Sequence, residues 1–169
     1  MKNIVLTGFM GSGKTVVARQ LARILGMKVI DVDTEIEKST QMTINEIFKQ
    51  FGESRFREIE TETIKHVSEK NNVIISTGGG AVLKQENMDA MKKKGVIVCL
   101  TAAPETILER TRETGVRPLL LVENPLERIK ELLEFRKPFY EKADIMIDTE
   151  SKTPLQIAEE IVGRMKENN

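Results

Sequence analysis

A chain of 169 residues, 40% apolar and 31% charged, has the length of a single domain and enough apolar side chains to fill a core. Its 26 basic and 26 acidic residues cancel to a formal net charge of zero, and aromatics make up 4% with no Trp, which excludes a basic nucleic-acid surface and a base-stacking platform. A lone cysteine excludes an internal disulfide, and no apolar run approaches a membrane span, so a cytoplasmic protein with neither nucleic-acid nor membrane partners is expected.

The first apolar run, Asn3–Thr7, is interrupted too soon by Gly8 and Gly11 to be a secretory leader and reads as a strand. It leads into Gly8-Phe9-Met10-Gly11-Ser12-Gly13-Lys14-Thr15, and Val16 to Leu25 then has the spacing of an amphipathic helix. Strand, glycine-rich loop and helix in that order are the context a phosphate-binding loop requires. The glycines let backbone amides approach a phosphate with no Cβ between. The helix N-terminus adds a positive dipole end, Lys14 a full charge toward the β- and γ-phosphates, and Thr15 a hydroxyl suited to Mg²⁺.

Four further runs read as strands: Lys28–Val32, Val73–Ser76, Val96–Leu100 and Asp144–Ile147. All are short, β-branched and nearly continuous in apolar character, the signature of a parallel sheet covered on both faces. Helical stretches separate them, so an α/β fold of right-handed βαβ units is expected. Thr43-Ile44-Asn45-Glu46 is a capping-box pattern, and Pro104, Pro125 and Pro154 each suit a first helical position. Residues 34–71 are too many for one crossover helix and imply a small helical excursion. Residues 112–124, with Gly115 and Pro118, read as a flap. Cys99 lies within an apolar strand and reads as core, and His66 as a surface helix residue with no role.

Ligands on such a sheet gather at the carboxyl ends of the strands. There stands Asp31-Val32-Asp33, where alternation along an extended backbone would point both carboxylates the same way. One would hold Mg²⁺ through water while the other accepts a proton from a substrate hydroxyl; the alternative makes Asp33 the N-cap of a helix over residues 34–39. After the third strand comes Thr77-Gly78-Gly79-Gly80, where the main chain must lie close to something or merely turn. Ser76 occupies the position at which many phosphate-loop proteins carry a metal-linked acid, so the metal would rest on Thr15, the nucleotide and waters, with Asp31 in support. Arg136 falls on the apolar stripe of Leu126, Ile129, Leu132, Leu133 and Tyr140 and needs an anion, either a ligand or an internal Asp or Glu. Arg57 has Glu53 and Glu60 at helical spacing, so a solvated ion-pair face is its plain alternative. Arg117, in the flap, has the reach to close over a transferring phosphate.

Taken together, Gly8–Thr15, Asp31-Val32-Asp33, Gly52 through Arg57 with Phe56, Gly78-Gly79-Gly80, Arg117-Pro118-Leu119-Leu120, and Arg136 followed by Tyr140 resemble the shikimate kinase family in order and spacing, nearly end to end. The resemblance implies a single P-loop kinase domain over residues 1–169, a three-layer α/β sandwich on a five-stranded parallel sheet in the order 2-3-1-4-5. A substrate-binding helical region at about 33–62 and a lid at about 112–124 would complete it. It implies Mg²⁺-dependent transfer of the γ-phosphate of ATP to the 3-hydroxyl of shikimate by a monomer. By that analogy Gly11, Ser12, Gly13, Lys14, Thr15 and Val16 bind the ATP phosphates, and Lys14 also stabilises the transferring group. Thr15 and Asp31 serve the metal. Asp33 holds the substrate hydroxyls and acts as base, Arg57 and Arg136 bind the carboxylate, and Glu60 steadies Arg57. Gly79 and Gly80 offer backbone amides, Arg110 lies near the adenine and Arg117 closes over ATP. Other small-metabolite kinases, acting on gluconate or a nucleotide, and a non-catalytic nucleotide-binding module are the rival readings. A GTPase switch is not among them, because the chain has no Asn-Lys-x-Asp motif.

Overall fold

The first strand, β1 (Asn3–Thr7), is buried at every residue, and its side chains alternate between two separate cores. Val5 packs on one side of the sheet with Ile75, Ile97 and Cys99, while Ile4 and Leu6 pack on the other with Ile74, Val98 and Leu100. A strand with apolar residues on both faces needs a layer of helices on each. In this computed structural model, which describes residues 1–114 and 118–167, that is the arrangement found.

The other strands are β2 (Lys28–Asp31), β3 (Val73–Ser76), β4 (Gly95–Thr101) and β5 (Ile145–Asp148). All pair in parallel, in the order β2-β3-β1-β4-β5, as the family resemblance implies. Helix α1 (Lys14–Leu25) and the last helix, α7 (Pro154–Glu167), cover one face through Val17, Leu21, Ile157 and Ile161. Between them in sequence run α2 (Val32–Thr40), α3 (Ile44–Ser68), α4 (Gln85–Lys94), α5 (Pro104–Thr114) and α6 (Pro125–Tyr140). Ile36, Ile64, Met88, Met91, Ile107 and Ile129 from these helices fill the opposite core, which completes the three layers.

The helical excursion expected between β2 and β3 is α2 plus α3. The latter opens on the expected capping box, with Thr43 accepting from the Glu46 N–H and Glu46 reaching back to the Thr43 N–H at 2.7 Å. It bends at Gly52, whose φ of 81° and ψ of 174° are not helical.

Element ends differ from the sequence reading in small ways with identifiable causes. β2 stops at Asp31 because its side chain caps α2, accepting from the Thr34 N–H at 3.0 Å, and Val32 therefore opens a helix. Asp33 is not the cap. β5 begins one residue late because the Asp144 carboxylate accepts the Ile97 N–H at 2.8 Å. Within the expected flap at 112–124, residues 112–114 belong to the last turn of α5 and Pro118–Leu120 form a 3-10 turn with Leu120 packed into the core, while 115–117 lie outside the described residues. Cys99 is fully buried, and burial pushes its thiol up to about 11, as befits a core residue. His66 is exposed on α3. Among the described residues no helix is long and apolar enough to cross a membrane.

Candidate active site

Five segments meet at the carboxyl edge of the sheet: the loop after β1, the β2–α2 junction, the glycine run after β3, and the inner faces of α3 and α6. They enclose a cavity of about 1010 Å³. That is the top of the range for a single small-molecule pocket and leaves room for a nucleotide beside a second, smaller ligand.

At the nucleotide end, Gly13 precedes α1 in a left-handed conformation and offers no side-chain cap, so the helix N-terminus is left to a ligand. The Lys14 ammonium arcs over the loop, donating to the Gly8 carbonyl at 2.8 Å and the Phe9 carbonyl at 3.0 Å. Arg110 reaches from α5 to the same loop, donating to the Gly11 carbonyl at 3.3 Å and the Thr149 hydroxyl at 3.2 Å. Gly11, Ser12, Gly13, Lys14, Thr15 and Val16 all line the cavity, with Arg110 beside them.

Asp31 and Asp33 also line it, although not by strand alternation: one ends β2 and the other sits in the first turn of α2. Asp31 Oδ1 is engaged in capping α2 through the Thr34 N–H and hydroxyl. Thr15 and Asp31 are thus an oxygen pair facing one space, and among the described residues no group of three or more His, Cys, Asp or Glu gathers into a metal cluster. This donor set suits a hard cation that takes most of its ligands from phosphates and water.

The opposite end is cationic. Gly78, Gly79 and Gly80 form its wall, and what stands against each is informative. A Cβ on Gly80 would run into the Arg57 guanidinium, so only a glycine lets the two approach as they do. A Cβ on Gly79 would lie 3.1 Å from Arg136 Nη1, and one on Gly78 would lie 3.2 Å from Glu60 and 3.4 Å from Asp33. Three glycines therefore mark where two guanidinium groups and two carboxylates converge. Gly79, Gly80, Arg57, Glu60 and Arg136 all line the cavity.

Arg57 does not sit on a solvated face. Its Nη1 donates to both oxygens of Glu60, at 2.8 and 3.1 Å, and the Glu60 side chain is only 1% exposed. Glu53 adds a weaker contact at 3.3 Å from the exposed side. Burial pushes the Glu60 carboxyl above its ordinary range, opposed by Arg57, Arg136 and Lys84. Arg136 is 4% exposed and has no acidic partner among the described residues; its Nε and Nη1 are buried without a hydrogen-bond acceptor. A buried donor left unmade costs about 1–3 kcal/mol, a cost that an acceptor placed in the cavity would offset. The rings of Phe56 and Phe9 back the two guanidiniums at 5.1 and 5.5 Å, leaving their polar edges to the cavity.

Of the residues singled out in the sequence, Gly115 and Arg117 lie outside the described residues. The sequence reading assigned no site role to several lining residues: Phe48 and Phe56, whose rings are 4.6 Å apart, Glu37 of α2, Asn45 in the first turn of α3, and Lys152 and Pro154 after β5. The position of Lys152 and Pro154 just beyond a strand's carboxyl end was an available signal. Nothing in the spacing separates Phe48 from a core residue.

Comparison with known proteins gives the family and the fold. The family model for shikimate kinase matches residues 10–166. A shikimate kinase of Thermodesulfovibrio yellowstonii is 59% identical over 162 residues, covering 96% of this chain and 94% of the relative. One from Caldanaerobacter subterraneus is 48% identical over 162 residues, covering 96% and 95%. Among solved structures, a shikimate kinase from Acinetobacter baumannii in complex with shikimate superposes with a TM-score of 0.95 at 38% identity, covering 100% of this chain and 95% of its own.

Proposed function

This chain belongs to the shikimate kinase family, and on that premise we propose that it transfers the γ-phosphate of ATP to the 3-hydroxyl of shikimate, giving shikimate 3-phosphate and ADP. One observation carries the choice of acceptor: Arg57 and Arg136 converge on Gly79 and Gly80, in the same cavity as Lys14 and Asp33. A small hydroxy acid needs cations at its carboxylate and an anion at its hydroxyls, and this end of the cavity offers both.

The roles follow from placement. Arg136 Nε and Nη1, buried without acceptors, and the outward edge of Arg57 bind the carboxylate, with Glu60 holding Arg57 in its pose. Asp33 accepts the hydrogen bond of the reacting hydroxyl and takes its proton as the oxygen–phosphorus bond forms and the bond to the ADP oxygen breaks. Little base strength is needed, because phosphoryl transfer runs through a loose transition state. Lys14 and the amides of residues 11–16 hold the phosphates and follow the negative charge onto the γ-oxygens. Thr15 and Asp31 would hold a Mg²⁺ ion from the protein's side, and that ion would supply positive charge against the phosphates. Arg110 flanks the nucleotide, and Arg117 adds charge from a lid at 112–124 whose closure excludes water. We assign the whole of 1–169 to one kinase unit that works as a monomer in the cytoplasm.

The test is an ADP-release assay across shikimate, quinate, gluconate and nucleoside monophosphates, repeated with Arg136→Ala. Turnover of shikimate above the others is expected. The variant should raise the shikimate KM by about 30-fold or more, as expected when one side of a buried charged contact is removed, while the ATP KM stays within about twofold. Turnover of gluconate or a nucleotide without shikimate, or equal loss of both affinities, would overturn the assignment.

A further inference from the structure

Tyr140 lies one helical turn after Arg136 on α6, so the two side chains leave the same face of the helix. It is 5% exposed and packs in the core, which by itself would describe a filler aromatic. Its hydroxyl, however, donates to the Gly79 carbonyl at 2.8 Å, a contact spanning 61 residues of chain. Burial pushes the phenol up to about 12, so it remains a donor at any working pH, and the Arg136 guanidinium acts on the same phenol oxygen from the preceding turn.

The consequence is geometric. In a trans peptide the C=O and the following N–H point in opposite directions. Holding the Gly79 carbonyl against α6 therefore turns the Gly80 N–H away from it. A run of three glycines has no side chain of its own to choose between peptide orientations, so an external tether must choose. The Arg136 side chain, with Nε and Nη1 lacking acceptors, packs against the same glycine, its Nη1 3.1 Å from where a Gly79 Cβ would stand, so the peptide that Tyr140 holds also walls Arg136.

We propose that Tyr140 is a positioning residue for carboxylate recognition: its hydroxyl sets the Gly79–Gly80 peptide plane and the pose of Arg136, so that both meet the acid as a preformed unit. The proposal deepens the reading of the acceptor given above and rests on it. The Tyr140 hydroxyl is bonded to the glycine wall at the cationic end of the cavity, so its influence falls on acceptor binding and not on the transfer step.

Tyr140→Phe keeps the ring and removes only the hydroxyl. It should raise the shikimate KM about tenfold, the worth of one well-placed hydrogen bond, with kcat and the ATP KM within about twofold of the parent. Phe139→Leu, on the same helix and packed against the same core, serves as the packing control. It should lower the melting temperature and leave the ratio of the two KM values unchanged. An unaltered shikimate KM in Tyr140→Phe would overturn the proposal, as would an equal rise in both KM values or the same selective rise in Phe139→Leu. These results are distinct from failure of the acceptor assignment, which would show as absence of shikimate turnover in the unsubstituted protein.

Discussion

Glu60 is a carboxyl group with almost no access to water, held by a guanidinium one turn away, and its titration is the most exposed consequence of the site's design. Burial and its cationic neighbours act in opposite senses, and burial is the larger, so the folded-state pKa stands above the ordinary value of 4.5. A carboxyl raised in this way binds its proton more tightly in the native protein than in the unfolded chain. Its contribution to stability is complete below the unfolded value and is lost as pH rises through the folded one. Urea unfolding of the parent and of Glu60→Gln, run side by side from pH 4 upward, should therefore show the parent's relative stability falling as pH rises above about 4.5. A relative stability that climbs instead would mean that pairing with Arg57 outweighs desolvation. At this scale the sequence was legible in residue type but not in environment. The helical spacing of Glu53, Arg57 and Glu60 predicts that they meet, yet a solvated row and a buried pair have the same spacing. Arg136 was the converse case: its place on an apolar stripe signalled burial, and only the packed structure shows its Nε and Nη1 buried without an acceptor, with Glu60 acting on it through space and not as a hydrogen-bonded partner.

At the scale of elements, α3 carries the acceptor end of the site, because the bend at Gly52 comes five residues before Arg57. A Cβ at Gly52 would meet nothing within 4 Å, so the whole cost of a larger residue there is backbone strain at a φ of 81°. Gly52→Ala should cost about 1–3 kcal/mol and lower the melting temperature by roughly 2–12 °C. The same substitution at Gly163, in the ordinary backbone of α7 and equally free of neighbours, should leave the protein unchanged or raise its stability by about 0.5–1 kcal/mol. A scanning calorimeter reads both, and equal effects at the two positions would show that the bend is not what requires glycine. Helix starts were legible because their causes are local. The Thr43–Glu46 box and the prolines of α5, α6 and α7 act within a turn of themselves. The β2–α2 junction was misread for the same reason in reverse: Asp31 and Asp33 are both competent caps, and the choice of Asp31 ends β2 early and cancels the strand alternation.

For the whole molecule, two ligands in one cavity imply that each should stabilise the fold to the extent that it binds. At a hundredfold excess over its dissociation constant, shikimate should add about 2.7 kcal/mol, which for a chain of this size is roughly 5–11 °C in melting temperature. In Arg136→Ala that increment should fall to about 0.9 kcal/mol or less at the same shikimate concentration, as a 30-fold weaker site requires, while the increment from ATP with Mg²⁺ persists. Loss of both increments would mean that the two ends of the cavity are not separable. The sequence by itself determined the parallel sheet, its two covered faces and the phosphate-binding loop, because each rests on contacts within a few residues or on a strict period along the chain. Only the tertiary structure decided that Arg57, Arg136, Glu60 and Asp33 share one wall of glycines. They come from α2, α3 and α6, and side chains that far apart in sequence acquire a common environment only when the sheet and its two layers of helices close around them.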